Sequence, residues 1–305
     1  MAVTDEPAVE PFPVIRLSKI PRDDRPDWLI EGLWTRQGCG VVAGHPKLGK
    51  TWLALELALA IASGQPCLGR FPVHDRGHVL VYCVEDGKVR VRDRVESLCA
   101  ARGIDFDRLA IGWIDSTDLA LDSPGDQLRL HATVERYRAK AIVLDPLVRL
   151  HLGDENSAQD VSRLLRYLRT LQQRHGTAVI LVHHTRKAAA AEHGQALRGS
   201  SDLHGWGDSN LYLHKSKDHW MLSTEHRSHP PTADLHLRLA GPPPHLVIDQ
   251  HPLAERIREA LADGPLTRRA LRDRLGVRAE SVGEAVHHLL QEQRLRLVGD
   301  QLDLT

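Results

Sequence analysis

The sequence predicts an α/β fold: a mainly parallel sheet sandwiched by helices, continued by antiparallel strands, with a small extra domain at the C-terminal end. Two observations carry this. Short apolar runs rich in Val and Ile (CGVVA at 39–43, HVLVYCV at 78–84, AIVL at 141–144, AVILVH at 178–183) have the character of strands buried on both faces. Helical patterns separate these runs, and strand–helix alternation implies right-handed parallel connections. At 305 residues the chain can bury one large core and a smaller one.

In order, residues 1 to about 25 read as a loose arm with prolines at 7, 11, 13 and 21, and Pro26 follows. The run 39–43 feeds a helix over 50–63, and the run 78–84 feeds an Arg-rich helix over about 88–101. Residues 109–114 (LAIGWI) form the next strand, leading through a polar loop to a helix near 126–138. The run 141–144 precedes a loop and a helix over 158–175, and 178–183 closes the series. After that the grammar changes. Residues 211–214, 220–224, 235–239 and 245–248 are short runs split by polar turns, which predicts antiparallel strands extending the sheet. Gly241-Pro-Pro-Pro244 punctuates the chain, and 250–252 marks a boundary. The remainder predicts helices over 253–263, 266–275 and 280–292, then a hairpin of 295–298 and 302–304 around Gly299-Asp300. The expected domains are therefore 1–27, 28–250 and 251–305.

Composition narrows the function. Acidic and basic residues number 40 each, so a nucleic-acid partner would need a local basic channel rather than bulk charge. Cys39, Cys67, Cys83 and Cys99 have no CxxC or metal-ligand spacing and fit reduced thiols serving as small apolar residues. The 19 histidines show no HxxxH or HExxH pattern, so surface and core roles are expected of them. The N-terminus lacks a charged-then-apolar signal pattern, and the longest apolar run, 52–63, contains Glu56 and is too short to span a bilayer. A cytoplasmic chain without a membrane partner is expected.

Gly44-His-Pro-Lys-Leu-Gly-Lys50-Thr51 matches G-x-x-x-x-G-K-[ST] at a strand-to-helix junction, the setting a phosphate-binding loop needs. Glycines let the loop turn so that successive backbone N–H groups face phosphate oxygens, and the helix N-terminus adds positive partial charge. Gly44, His45, Pro46, Lys47, Leu48, Gly49, Lys50, Thr51 and the following Trp52 are the expected nucleotide-binding set, with ATP and Mg²⁺ as ligands. Lys50 would neutralise the β- and γ-phosphates, and the Thr51 hydroxyl would reach Mg²⁺.

Asp145 ends a buried strand at the crevice where such folds bind ligands, the expected place for the acid that orients Mg²⁺ through water. Glu85 and Asp86 end another strand. Glu85 is the expected catalytic carboxylate, polarising the attacking water, whereas Asp86 is expected to cap the next helix. His183-His184-Thr185 ends a third strand, where polar side chains could touch the γ-phosphate or simply exit into solvent.

In this order, Gly44–Thr51, Val84-Glu-Asp86 with Arg94, Leu144-Asp145, Val182-His-His-Thr185 and Arg198-Gly-Ser-Ser201 with Asp208 resemble the RecA-like ATPases. Within them they are similar to the branch typified by the plasmid replicative helicase RepA, as is the upstream Trp28-Leu-Ile-Glu-Gly-Leu33. The resemblance covers about 28 to 230. It implies a RecA-like core assembling into hexameric rings, with ATP between neighbouring subunits. It also implies Glu85 as catalytic glutamate, Asp145 as Walker B acid, His184 as γ-phosphate sensor and 186–197 as a DNA-facing loop. A K-x-R element would supply a neighbour's arginine finger. Here it reads Glu225-His226-Arg227, so Arg227 is kept and the lysine position holds Glu225. A trans finger is worth roughly 10³–10⁵ in rate, so the departure matters.

The C-terminal segment resembles a winged helix. Its candidate recognition helix carries Glu280, Glu284, Gln291 and Glu292, while Arg268, Arg269, Arg272 and Arg274 sit on the preceding helix. Both DNA binding and docking to a replication-initiator or other protein partner fit that distribution. The leading expectation is a ring-forming ATP-driven helicase acting on single-stranded DNA. An ATP-switched regulatory or scaffold protein is the alternative, and a filament-forming recombination mediator a third.

Overall fold

Alternate residues along the central strands belong to two different cores, and that alternation holds the sheet between two helical layers. The computed structural model describes residues 12–150, 153, 157–185, 201–216, 219–249, 253–277 and 279–305. Its strands begin with a small hairpin, β1 (Trp28–Ile30) and β2 (Trp34–Thr35), followed by β3 (Cys39–Gly44), β4 (Val79–Cys83), β5 (Ile111–Trp113), β6 (Ala141–Asp145) and β7 (Ala178–His184). Four more follow: β8 (Ser209–Ser216), β9 (His219–His226), β10 (Leu235–Ala240) and β11 (His245–Ile248). Helices α1 (Lys50–Ser63), α2 (Lys88–Arg102), α3 (Pro124–Tyr137), α4 (Ala158–His175) and α5 (Ser201–Trp206) connect them.

Strands β3 to β11 form one nine-stranded sheet in the order β11-β10-β9-β8-β3-β7-β6-β4-β5. From β8 to β5 every pairing is parallel, and β8–β9, β9–β10 and β10–β11 are antiparallel. Val81, Val143 and Ile180, in register across β4, β6 and β7, face the core built with α1 and α2. Their neighbours Leu80, Ile142 and Val179 face the core built with α3 and α4. Burial on both faces is what the uninterrupted apolar runs demanded.

Helix α1 is apolar nearly all round because it lies under the middle of the sheet. Glu56 is its exception: fully buried, it accepts from the Leu68 N–H (2.7 Å) and from the Arg102 guanidinium of α2. Burial pushes this carboxyl above its ordinary range, and Arg102 opposes the shift. An unpaired buried carboxylate costs several kcal/mol, so Arg102 is what makes Glu56 tolerable between α1 and α2.

A third core lies near the C-terminal end, where α6 (Leu253–Leu261), α7 (Arg268–Leu275) and α8 (Ala279–Gln291) enclose Ile257, Leu271, Val286 and Leu289. Here β12 (Leu266–Thr267), β13 (Leu295–Val298) and β14 (Gln301–Leu304) form a sheet in the order β12-β14-β13.

Several elements differ from expectation. Leu266 and Thr267 belong to a strand paired with β14, and the helix begins only at Arg268, because Thr267 caps it by accepting from the Ala270 N–H (3.2 Å). Gly241-Pro-Pro-Pro244 lies where punctuation was expected, as the turn between β10 and β11, and the Pro244 carbonyl accepts from Ser97 of α2 (2.6 Å). The hairpin β1–β2 and helix α5 are too short for a periodic pattern to reveal them. The boundary at 250–252, the loop 186–197 and most of the Arg198–Ser201 motif fall outside the described residues. All four cysteines are buried and free. Among the described residues, no helix is long and apolar enough to cross a membrane, and no group of three or more His, Cys, Asp or Glu could hold a metal ion.

Candidate functional site

In the sheet order, β3, β7, β6 and β4 are consecutive and parallel, so their C-terminal tips converge on one edge of the sheet. Gly44, His184 and Asp145 end three of those strands, and Glu85 stands two residues beyond the end of β4. The register pairs Gly44 with His184 on one side and with Leu213 of β8 on the other.

The loop after β3 turns through left-handed conformations at Lys47 (φ 66°) and Gly49 (φ 77°) before α1 begins at Lys50. Leu48 is buried and anchors the loop, while Pro46 and Lys47 are exposed. A Cβ on Gly49 would lie 2.4 Å from the Trp220 ring of β9, so only glycine allows the indole to pack on the loop. The Lys50 Nζ donates to the His45 carbonyl (2.8 Å), and His45 Nδ1 is buried with no hydrogen-bond partner among the described residues.

Thr51 donates its hydroxyl to Asp145 Oδ2 at 2.7 Å. Burial pushes Asp145 up to about 6, against the Thr51 hydrogen bond and the nearby Lys50, which favour its charge. Burial likewise pushes Lys50 down to about 8, with Asp145 and Glu85 opposing. Near pH 7 both are ionised, so the loop holds a buried cation beside a buried anion. Glu85 is about half exposed, with Oε2 3.6 Å from His184 Nε2. His183, lowered to about 4 by burial and then by His184 and Lys50, is neutral at that pH.

Asp86 does not cap the following helix. The N-cap of α2 is Gly87, without a side-chain bond, and Asp86 instead takes two hydrogen bonds from Arg94 (2.5 and 3.2 Å). A bidentate charged pair outcompetes a single cap bond. The same guanidinium lies over the Trp52 ring, 5.4 Å from its centroid, so Arg94 joins the strand tip of β4 to the first turn of α1.

Arg227 lies elsewhere, next to the first residues of β8 and β3. Its guanidinium donates to the carbonyls of Gly205 (2.5 Å) and Trp206 (3.2 Å), and its Nε is 3.4 Å from Asp208. Asp208 also takes Arg169 (2.5 Å) and the Cys39 N–H (2.9 Å) at the start of β3. Glu225 pairs with His204 of α5 (2.8 Å) and accepts from Tyr212 (3.1 Å), so the residue in the lysine position braces α5 against β8. Trp220 was not among the sequence-derived candidates. A tryptophan on a late strand carries no local signal that it will meet the loop some 170 positions earlier.

The residues present fit a nucleotide with a divalent cation: a left-handed loop of backbone N–H groups, a buried amine, an unpartnered buried imidazole nitrogen, and a hydroxyl–carboxylate pair. The family model of an AAA domain (AAA_25) matches residues 5–190. No curated protein matches the chain. Among solved structures, a DnaB-like replicative helicase, studied with its interactions with primase, aligns with TM-score 0.51 and 17% identity over 67% of this chain. The aligned part is 56% of that helicase chain. A KaiC-like protein from Pyrococcus horikoshii OT3 aligns with TM-score 0.48 and 18% identity, covering 73% of this chain and 94% of that one. The helicase likeness is one of fold, and the family match spans more than half of the chain: the protein belongs to the AAA domain family, on a RecA-like fold.

Proposed function

We propose that the chain is an ATP-hydrolysing motor, a ring-forming replicative DNA helicase of a plasmid or mobile element that acts on single-stranded DNA. The observation that carries the ATPase reading is the Thr51–Asp145 hydrogen bond beside buried Lys50. Lys50, held by a carbonyl of its own loop, would exchange that acceptor for β- and γ-phosphate oxygens. Thr51 and Asp145 would hold Mg²⁺, which when bound would neutralise charge on the phosphate oxygens. Glu85, half exposed at the tip of β4, would orient and polarise the attacking water. His184, 3.6 Å from Glu85, would report the γ-phosphate to the segment that follows β7. Membership in the AAA domain family supports ATP use, and the fold shared with a DnaB-like replicative helicase is in keeping with the motor reading.

Residues 28–250 would be the motor domain, preceded by the arm 1–27, and 251–305 a winged-helix module for DNA or a protein partner such as a replication initiator. Two observations favour the alternative of an ATP-switched regulatory or scaffold protein. Arg227 is engaged within its own chain, so serving a neighbour as a finger requires breaking those contacts. Arg272 and Arg274 of α7 are paired with Asp273 and Asp263, which lessens their pull on phosphates.

Steady-state ATPase rates with and without single-stranded DNA, with mass photometry of the same sample, test the proposal. Strong stimulation by a hexamer-sized species supports the helicase. Slow, DNA-independent turnover by a small oligomer supports the switch, and absence of ATP turnover removes both.

A further inference from the structure

The Trp220 ring is shared between two parts of the molecule. On one side it lies so close to Gly49 that a Cβ there would stand 2.4 Å from the ring. On the other it lines a cavity of about 640 Å³ between the large sheet and the C-terminal helices. Leu237 and Leu239 of β10 complete the sheet's side of this cavity, and Leu253, Leu275 and Val277 form the facing wall. The residue itself is half-buried and anchored in β9, where it pairs with Lys215 of β8 and Leu237 of β10.

The facing wall is stiff. Arg256 of α6 donates to the Leu275 carbonyl at the end of α7 (2.8 Å), which ties the two helices together where they meet the cavity. Leu253, Leu275 and Val277 also pack against the core that holds Ile257, Leu271 and Val286. A close-packed core transmits a displacement of its wall rather than absorbing it. The loop beneath the indole, by contrast, has to change. In the proposed nucleotide site Lys50 exchanges the His45 carbonyl for phosphate oxygens, and that exchange reshapes the loop that carries Gly49. The ring has no room on the Gly49 side and open space on the other, so its displacement has one direction.

We propose that Trp220 is a moving part that couples nucleotide occupancy of the loop to the C-terminal helices α6 and α7. As phosphates engage Lys50 and the backbone N–H groups of the loop, the indole gives up its packing on Gly49, withdraws into the cavity and settles on Leu253, Leu275 and Val277. Loop and helices then share one equilibrium, and the coupling is reciprocal: whatever binds the C-terminal helices and fixes that wall changes nucleotide affinity by the same factor. Such coupling requires nucleotide binding at residues 44–51, as proposed above, but neither hydrolysis nor DNA.

Full-length protein labelled with fluorotryptophan gives a fluorine NMR signal for each of its six tryptophans, and Trp220→Phe identifies the one concerned. Mg²⁺–ADP should shift the Trp220 signal, and hydrogen exchange in α6 and at the C-terminal end of α7 should slow by at least about fivefold. In Trp220→Ala, ADP should still bind, as read by titration, while the slowing at α6 and α7 disappears. The fluorine signal is read in the unsubstituted chain, so it decides even where Trp220→Ala folds poorly. ADP that binds with the Trp220 signal unmoved would overturn the coupling and leave the nucleotide site intact. A response of α6 and α7 that persists in Trp220→Ala would overturn it as well, because the signal would then bypass the indole. Absence of ADP binding to the parent would remove the nucleotide site and the coupling together.

Discussion

Replacing Asp145 by Asn should stabilise the nucleotide-free protein while it abolishes turnover. The Asp145 carboxylate is 6% exposed, and burial pushes it from 3.8 up to about 6. A raised folded-state value means that the charged form is penalised in the fold. The penalty is absent below the unfolded value, develops as pH rises from about 4 to about 6, and is constant above that. At about pH 7.5 it amounts to about 3 kcal/mol, at about pH 5 to roughly 1.5 kcal/mol, and below about pH 4 to little. Asn keeps an oxygen to accept from Thr51 and carries no charge, so the variant escapes the penalty. Thermal unfolding of the metal- and nucleotide-free protein should show its Tm raised by about 5–10 °C at about pH 7.5, with the gap roughly halved at about pH 5. Working below about pH 8 keeps Lys50 charged in the parent, whereas in the variant the loss of Asp145, which favours that charge, moves Lys50 further down. In the presence of Mg²⁺ and nucleotide the order should reverse, because only the parent gains ligand stabilisation. A Tm that is unchanged or lowered at about pH 7.5, or a gap independent of pH, would show that Asp145 is not an electrostatically strained carboxylate.

Lys50→Ala should lose ATP binding or hydrolysis, whereas Glu85→Gln should bind nucleotide with turnover reduced by about 10²-fold or more, as measured by titration and steady-state rates. Unchanged turnover in Glu85→Gln would mean that another group polarises the water. Arg102→Met should cost about 3–5 kcal/mol in urea unfolding near pH 7 by leaving Glu56 buried without its partner, and adding Glu56→Gln should recover much of it. Gly49→Ala should cost more than about 1 kcal/mol and weaken nucleotide binding, since φ 77° and the Trp220 ring both exclude a Cβ. An unchanged Tm in that variant would mean that the indole is free to move away.

The parallel core was legible wherever the signal was local. The helices 50–63 and 158–175 have the expected bounds, because strand-to-helix junctions and capping residues are written within a few positions of one another. Strand ends moved by one or two residues, as with β5, which shrank from six expected residues to Ile111–Trp113 at the sheet edge. The loop at 44–51 and the carboxylates at strand tips were readable for the same reason: a strand's C-terminal end is a position in the sequence as well as in space. Asp86 misled, because a cap and an ion pair draw on the same residue type, and only the approach of Arg94 from α2 decided between them.

By itself, then, the sequence determined the sheet-and-helix alternation, the strand-to-helix loop at 44–51 and which acids lie at the strand ends, since each depends on residues near one another along the chain. Tertiary structure alone decided that β8 pairs beside β3, that Trp220 covers Gly49, that Arg227 is engaged by Asp208, and that the arm's apolar side chains remain uncovered. Those outcomes depend on which distant surfaces meet once two cores compete to bury the same apolar area, and no local pattern encodes that competition.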